Sequence, residues 1–193
     1  MALINNGALV EDDFVYLDDD ANLPEDDAVI VSLERWQASR ENLLRRSAPI
    51  GLLLKSDQLP ECIGEGLQRL AVIALEFPAF RDGRAYSYAR LLRDKYAYKG
   101  ELRAVGDILL EQLHFMVRTG FDSFEFETDD PLRDFEVAAS DFSVWYQPTG
   151  DGRDTASELR WRHLEPVLST CPVAGPKRTD NASGWRSFLA RRA

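Results

Sequence analysis

The chain has 193 residues, 45% hydrophobic and 29% charged, which suits one ordinary globular domain with a full core plus a tail. A formal net charge of −10 argues against nucleic acid as the main partner, because that affinity comes from neutralising phosphates. No apolar run reaches the ~20 residues of a membrane helix, and the first thirty residues hold nine acidic residues and no Lys or Arg, unlike a signal or transit peptide, so a cytoplasmic location is expected.

In chain order, ALVED (8–12) and FVYL (14–17) flank Asp13 and predict a short hairpin or one bent strand. DDDANLPEDD (18–27) is a solvated loop by composition. AVIVSL (28–33) is a buried strand, and ERWQASRENLLRR (34–46) a helix with Trp36, Leu43 and Leu44 on one face. IGLLLK (50–55) is the next strand, and LPECIGEGLQRL (59–70) reads as a helix with Pro60 in its first turn. AVIALEF (71–77) and GRAYSYARLLRDKYA (83–97) repeat the plan, with Gly100 placed for a left-handed cap. ELRAVG (101–106), DILLEQLHFMVRTG (107–120), FDSFEFE (121–127) and PLRDFEVAASDFSVWY (131–146) continue it as strand, helix, strand and helix.

Strands alternating with helices across short loops imply a parallel sheet with right-handed crossovers. The expected fold is therefore a single α/β domain over residues 1–150, its mainly parallel sheet open or half-barrel-like. Residues 151–193 are expected to form a flexible, disordered tail. PTGDGRDT (148–155) and CPVAGPKRTDNASG (171–184) read as linker, and WRSFLARR closes the chain as a short amphipathic piece. Beyond residue 151, eight basic residues stand against four acidic ones, which suggests solubility with a basic contact at the C-terminal end, while the N-terminal part is almost purely acidic.

Cys62 and Cys171 are too far apart for CxxC redox chemistry or a self-contained iron–sulfur cluster, and two histidines, His114 and His163, do not suggest a histidine-rich metal site. Gly64 and Gly66 begin GxGxx, but Arg69 stands where a dinucleotide fingerprint needs its third glycine. GxxxxGK[ST] and GxSxG motifs are absent. No cofactor and no histidine- or cysteine-held metal are expected, the plentiful carboxylates leave a carboxylate-ligated Mg²⁺ open, and no catalytic residue can be named.

In parallel α/β sheets, ligands bind beyond the carboxyl ends of the strands. FPAFRDGR occupies that position, between a strand and a helix N-terminus whose free N–H groups favour an anion. Arg81 and Arg84 add bidentate donors, Asp82 and Gly83 make the turn, and Ser87 adds a hydroxyl. Gly106 and Asp107, at the next strand end, belong to the same rim. Competing readings make Asp107 a helix N-cap, Arg90 and Arg93 solvated helix residues, and Arg81 and Arg84 surface ion-pair partners. Asp94 is spaced to pair with Arg90, and His114 reads as structural. Glu76 and Arg103 lie within strands, where parity decides which face they occupy.

The run ALEFPAFRDGRAYSYARLLRDKY…KGELRAVGDILLEQLHFMVRTGFDSFEF (74–126) resembles a bacterial family of unknown function encoded beside sulfite reductase genes. LVEDDFVYL, LP…VIVSLERW and IGLLLKSD resemble it too, so the likeness covers most of residues 1–146. The resemblance implies a place in sulfur assimilation, where members are labelled oxidoreductases of sulfite reduction. It supplies no catalytic residues. Two readings follow: an accessory protein that docks on sulfite reductase or its electron donor, or a small-molecule enzyme acting on an anionic sulfur substrate. Either allows an oxyanion pocket at the rim, and neither involves nucleic acid or a membrane.

Overall fold

A computed structural model describes residues 2–140 and 142–164. The expected tail beyond that point, including WRSFLARR, lies outside the described residues.

Eight strands form one sheet: β1 (Ala2–Asn5), β2 (Ala8–Val10), β3 (Phe14–Tyr16), β4 (Ala28–Ser32), β5 (Ile50–Leu54), β6 (Val72–Phe77), β7 (Glu101–Gly106) and β8 (Ser123–Phe126). Among the described residues five α-helices accompany them: α1 (Leu33–Leu44), α2 (Arg84–Asp94), α3 (Leu113–Thr119), α4 (Pro131–Ser140) and α5 (Ala156–Leu164). The strand order is β2-β1-β8-β7-β6-β5-β4-β3. From β3 through β8 every neighbouring pair is parallel, while β1 runs antiparallel to both β2 and β8. The chain is thus a single α/β domain with a mostly parallel sheet, as expected.

The sheet is curled into a half-barrel, and two contacts require it. Tyr16 on β3 donates its hydroxyl hydrogen to Glu125 on β8 at 2.8 Å. On a flat sheet these strands would lie five spacings, about 24 Å, apart at ~4.8 Å each. The chain also passes from β2 to β3, the two sheet edges, through only Glu11, Asp12 and Asp13. Four residue steps span at most about 14 Å when fully extended. A flat eight-stranded sheet would hold its edges roughly 34 Å apart. Only curling brings them within reach.

Strand alternation assigns each face its work. Val29, Val31, Leu52, Leu54, Ile73, Leu75, Phe77, Leu102, Ala104 and Phe124 share one buried cluster with Trp36, Ala89, Leu92, Met116 and Phe135 from the helices. The opposite parity, Ile30, Val72, Ala74, Arg103 and Ser123, is also buried but lies outside that cluster, on the concave side. Glu76 and Arg103 take this second face.

Local rules account for the helix ends. Ser32 caps α1, its hydroxyl accepting from the Arg35 N–H at 3.0 Å. Gly120 ends α3 in the left-handed conformation at φ 108°, where its N–H reaches the Met116 and Val117 carbonyls.

Four local expectations change. Residues 59–70 are not one helix but two 3₁₀ turns, Pro60–Ile63 and Leu67–Arg69. Gly64 and Gly66 between them sit at φ 67° and 96°, and the Ile63 carbonyl that a helix would use is taken by the Trp36 indole and the Arg40 guanidinium. Gly100 is not a left-handed cap; Ala97 takes the positive φ, and Gly100 is required because a Cβ there would lie 2.2 Å from the Tyr98 hydroxyl. ALVED and FVYL form no hairpin, since β2 and β3 lie at opposite sheet edges. Residues 148–155 contact the domain instead of leaving it: Thr155 bridges Trp145, and Asp151 accepts from Arg118 Nε at 2.9 Å.

Candidate functional site

The strands β4 to β8 end at one rim, where loops 78–83 and 107–109 lie side by side. Asp107 laces them: its N–H donates to the Phe77 carbonyl at 2.7 Å, and its carboxylate accepts from the Phe80 N–H at 3.0 Å. Gly106 makes the approach feasible. Its φ is 99°, and a Cβ would meet the Phe77 carbonyl oxygen at 2.5 Å. Asp107 therefore serves the neighbouring loop and not its own helix. The expected helix over 107–120 accordingly begins late, with a 3₁₀ turn at Leu110–Gln112 before α3.

Asp82, Gly83 and Arg84 also come together. The Asp82 carboxylate accepts from the Arg84 backbone N–H at 3.2 Å, from Nε at 2.9 Å and from Nη2 at 2.6 Å. It thus occupies the positive N-terminus of α2 as an internal anion. These Arg84 bonds hold the Asp82 carboxyl well below the usual carboxylate range. Arg84 Nη2 also donates to the Ser56 hydroxyl at 2.9 Å, tying the rim to the end of β5. Ser87 is exposed on the first turns of α2. Arg81 is exposed and makes no hydrogen bond or ion pair among the described residues. Beside it, Phe80, Leu109 and Leu110 are exposed on the two laced loops and the turn that follows. Behind them the half-buried Tyr86 packs edge-on to Phe77; burial pushes its phenol up to about 12, partly offset by a hydrogen bond with Gln112.

A second polar constellation lies on the concave face. Arg103, 1% exposed, donates from Nε to Glu101 at 3.0 Å and from Nη1 to Asp12 at 2.7 Å, and its guanidinium lies 5.7 Å from the Phe14 ring centre. Glu101 also accepts from the Ser123 hydroxyl and from Asn5 Nδ2. Burial opposes the charge on Arg103, but the Asp12 and Glu101 carboxylates outweigh it and raise its pKa. Burial and the bond to Glu125 likewise raise the Tyr16 phenol. The sequence did carry a signal for this cluster. A strand buried on both faces reads as a continuous apolar run, and ELRAVG and SFEF break that rule with Glu101, Arg103, Ser123 and Glu125 all on one parity.

Among the described residues, no helix is long and apolar enough to cross a membrane, and no group of three or more His, Cys, Asp or Glu side chains is placed to hold a metal. Fold and rim together define a half-barrel α/β protein with loops at its strand ends available for contact. The chain belongs to the family described as bacterial protein of unknown function (DUF934), which matches residues 51–157, more than half of its length. That span includes every residue of the rim. No curated protein matches the chain.

Proposed function

We propose that the protein is a non-catalytic accessory of sulfite reduction, docking by its rim onto sulfite reductase or that enzyme's electron donor. The observation that carries this reading is the exposure of Phe80, Leu109 and Leu110 beside the unpaired Arg81, on loops held in place by Asp107. Exposed aromatic and aliphatic groups next to an arginine are the chemistry of interface anchors. The sulfite assignment rests on the resemblance of the FPAFRDGRAYS and GELRAVGD segments. In reconstitution, sulfite reductase should co-purify with the protein and turn over faster in its presence, and Phe80→Ser or Arg81→Glu should weaken both effects. Absence of association, with sulfite consumed by the protein alone, would make it the small-molecule enzyme of the alternative reading.

A second reading concerns an oxyanion at Arg81, Asp82, Gly83, Arg84, Ser87, Gly106 and Asp107. The observation in its favour is the Asp82 carboxylate at the α2 N-terminus, a place already suited to negative charge. Removing that internal anion should open the place to an external one. Asp82→Ala should gain thermal stability from millimolar sulfite or sulfate where the parent gains none. Equal, negligible gains in both would dismiss the oxyanion.

A further inference from the structure

We propose that residues 11–16 form a latched strap across the concave face of the half-barrel, and that it opens locally while the rest of the sheet stays folded. The proposal is independent of the docking reading.

The strap is bound by few forces of the kind that hold the other strands. β3 has three residues and pairs with β4 at only Phe14, Val15 and Tyr16. Val15 is 55% and Tyr16 40% exposed, and Glu11, Asp12 and Asp13 are all exposed. Little apolar area is therefore buried by the segment itself.

Directional polar contacts hold it instead. Tyr16 reaches Glu125 and Asp12 reaches Arg103, both across the curl, while the Arg103 guanidinium lies over the Phe14 ring. Both ends of the strap are fixed. β2 holds one through its register with β1, and the Leu17 N–H donates to the Ile30 carbonyl at 2.9 Å at the other. Arg35 and Arg46 then clamp the following acidic loop through the carbonyls of Asp18, Ala21, Pro24 and Asp27.

A segment anchored at both ends and latched in the middle by two side-chain contacts has two discrete positions, latched and released. Segments with few buried apolar contacts open at lower free energy than the global transition. Release frees Arg103 and Glu125 from Asp12 and Tyr16 and uncovers the polar cluster they form with Glu101 on the concave face.

Hydrogen exchange of the full chain, read by mass spectrometry, tests this. The amides of residues 14–17 should exchange at least about tenfold faster than those of β5 and β6. Tyr16→Phe and Glu125→Gln should each speed that exchange further, the double variant should add little to either single, and β5 and β6 should be unchanged. Tyr16 is partly exposed, so its phenylalanine variant keeps the ring's packing and the fold. Exchange of residues 14–17 at the rate of β5 and β6, or acceleration of all strands equally in Tyr16→Phe, would show that the strap moves only with global unfolding and would overturn the proposal.

Discussion

Arg93 shows how a residue that reads as a solvated helix position can be structural. Its guanidinium donates to the carbonyls of Gly120, Tyr98 and Gly100 and pairs with Asp122, whose carboxylate also accepts from the Leu102 N–H at 3.0 Å. One side chain thus joins the ends of α2 and α3 to the start of β7. Removing it takes a donor from three carbonyls and leaves the half-buried Asp122 carboxylate with the Leu102 N–H but no cation. Arg93→Ala should lower stability by about 3 kcal/mol in urea unfolding, and Arg93→Lys should recover only a minor part, since lysine lacks the planar fork. Arg90, by contrast, pairs with Asp94 at 2.6 Å as its spacing predicts, on the surface, where such a pair is worth a few tenths of a kcal/mol.

Two titrations belong to the same scale. Asp82 keeps its charge in the fold because of Arg84, so its carboxyl binds a proton more readily when unfolded. Its contribution to stability is present above the unfolded carboxyl range and is lost as pH falls from about 4. The melting temperature of Arg84→Gln should therefore fall less steeply on acidification than that of the parent. Tyr86 runs the other way: its folded pKa, pushed up to about 12 by burial, keeps the phenol neutral past the pH at which the unfolded chain ionises. Stability is full below about pH 10 and declines as pH rises through 12. Tyr16 and Tyr98 are raised by burial as well and should act with it. Tyrosinate absorbance should show these phenols ionising together with unfolding, and Tyr86→Phe should flatten the alkaline decline.

At the scale of elements, 28–33, 50–55, 71–77, 101–106 and 121–127 each hold a real strand; the first three are nearly apolar along their length, as a parallel strand covered on both faces should be, while the last two interrupt that pattern with polar residues on one parity. The rim was legible for the same reason: alternation places 78–83 and 106–107 at strand ends. What alternation cannot convey is competition for acceptors. Nothing local in DILLEQL announces that Asp107 will serve Phe80, or in PECIG that Trp36 and Arg40 will claim the Ile63 carbonyl. β1 escaped notice because ALIN is four residues long and derives its strand character from β8, over a hundred positions away. Gly106 tests the lacing of the two loops. Gly106→Ala, facing a carbonyl oxygen at 2.5 Å with φ at 99°, should cost about 2–3 kcal/mol and loosen both loops in hydrogen exchange. Asp107→Ala should cost only about 1 kcal/mol, the worth of one cap to a partly solvated N–H.

For the whole molecule, curvature is the property least visible in sequence. A parallel α/β pattern fits an open sheet and a half-barrel equally well, and the choice lies in the three-residue passage from β2 to β3. That passage could not be recognised before the partners of β2 and β3 were known. Parity singles out Arg103 and Glu125, but nothing in the sequence joins Asp12 and Tyr16 to them, since only the curl brings the four together.

The short passage between the sheet edges also orders events in time. Ala2–Asn5 and Phe14–Tyr16 are made early in synthesis, yet the first must wait for Ser123–Phe126 before it has a neighbour on that side. Pairings so distant in sequence form slowly, because the chain between them must first be confined. The β1–β8 pairing is therefore among the last to form. Until Ser123–Phe126 is in place, Ala2–Asn5 has only Ala8–Val10 to pair with, so a chain halted short of residue 123 holds that strand on one side alone.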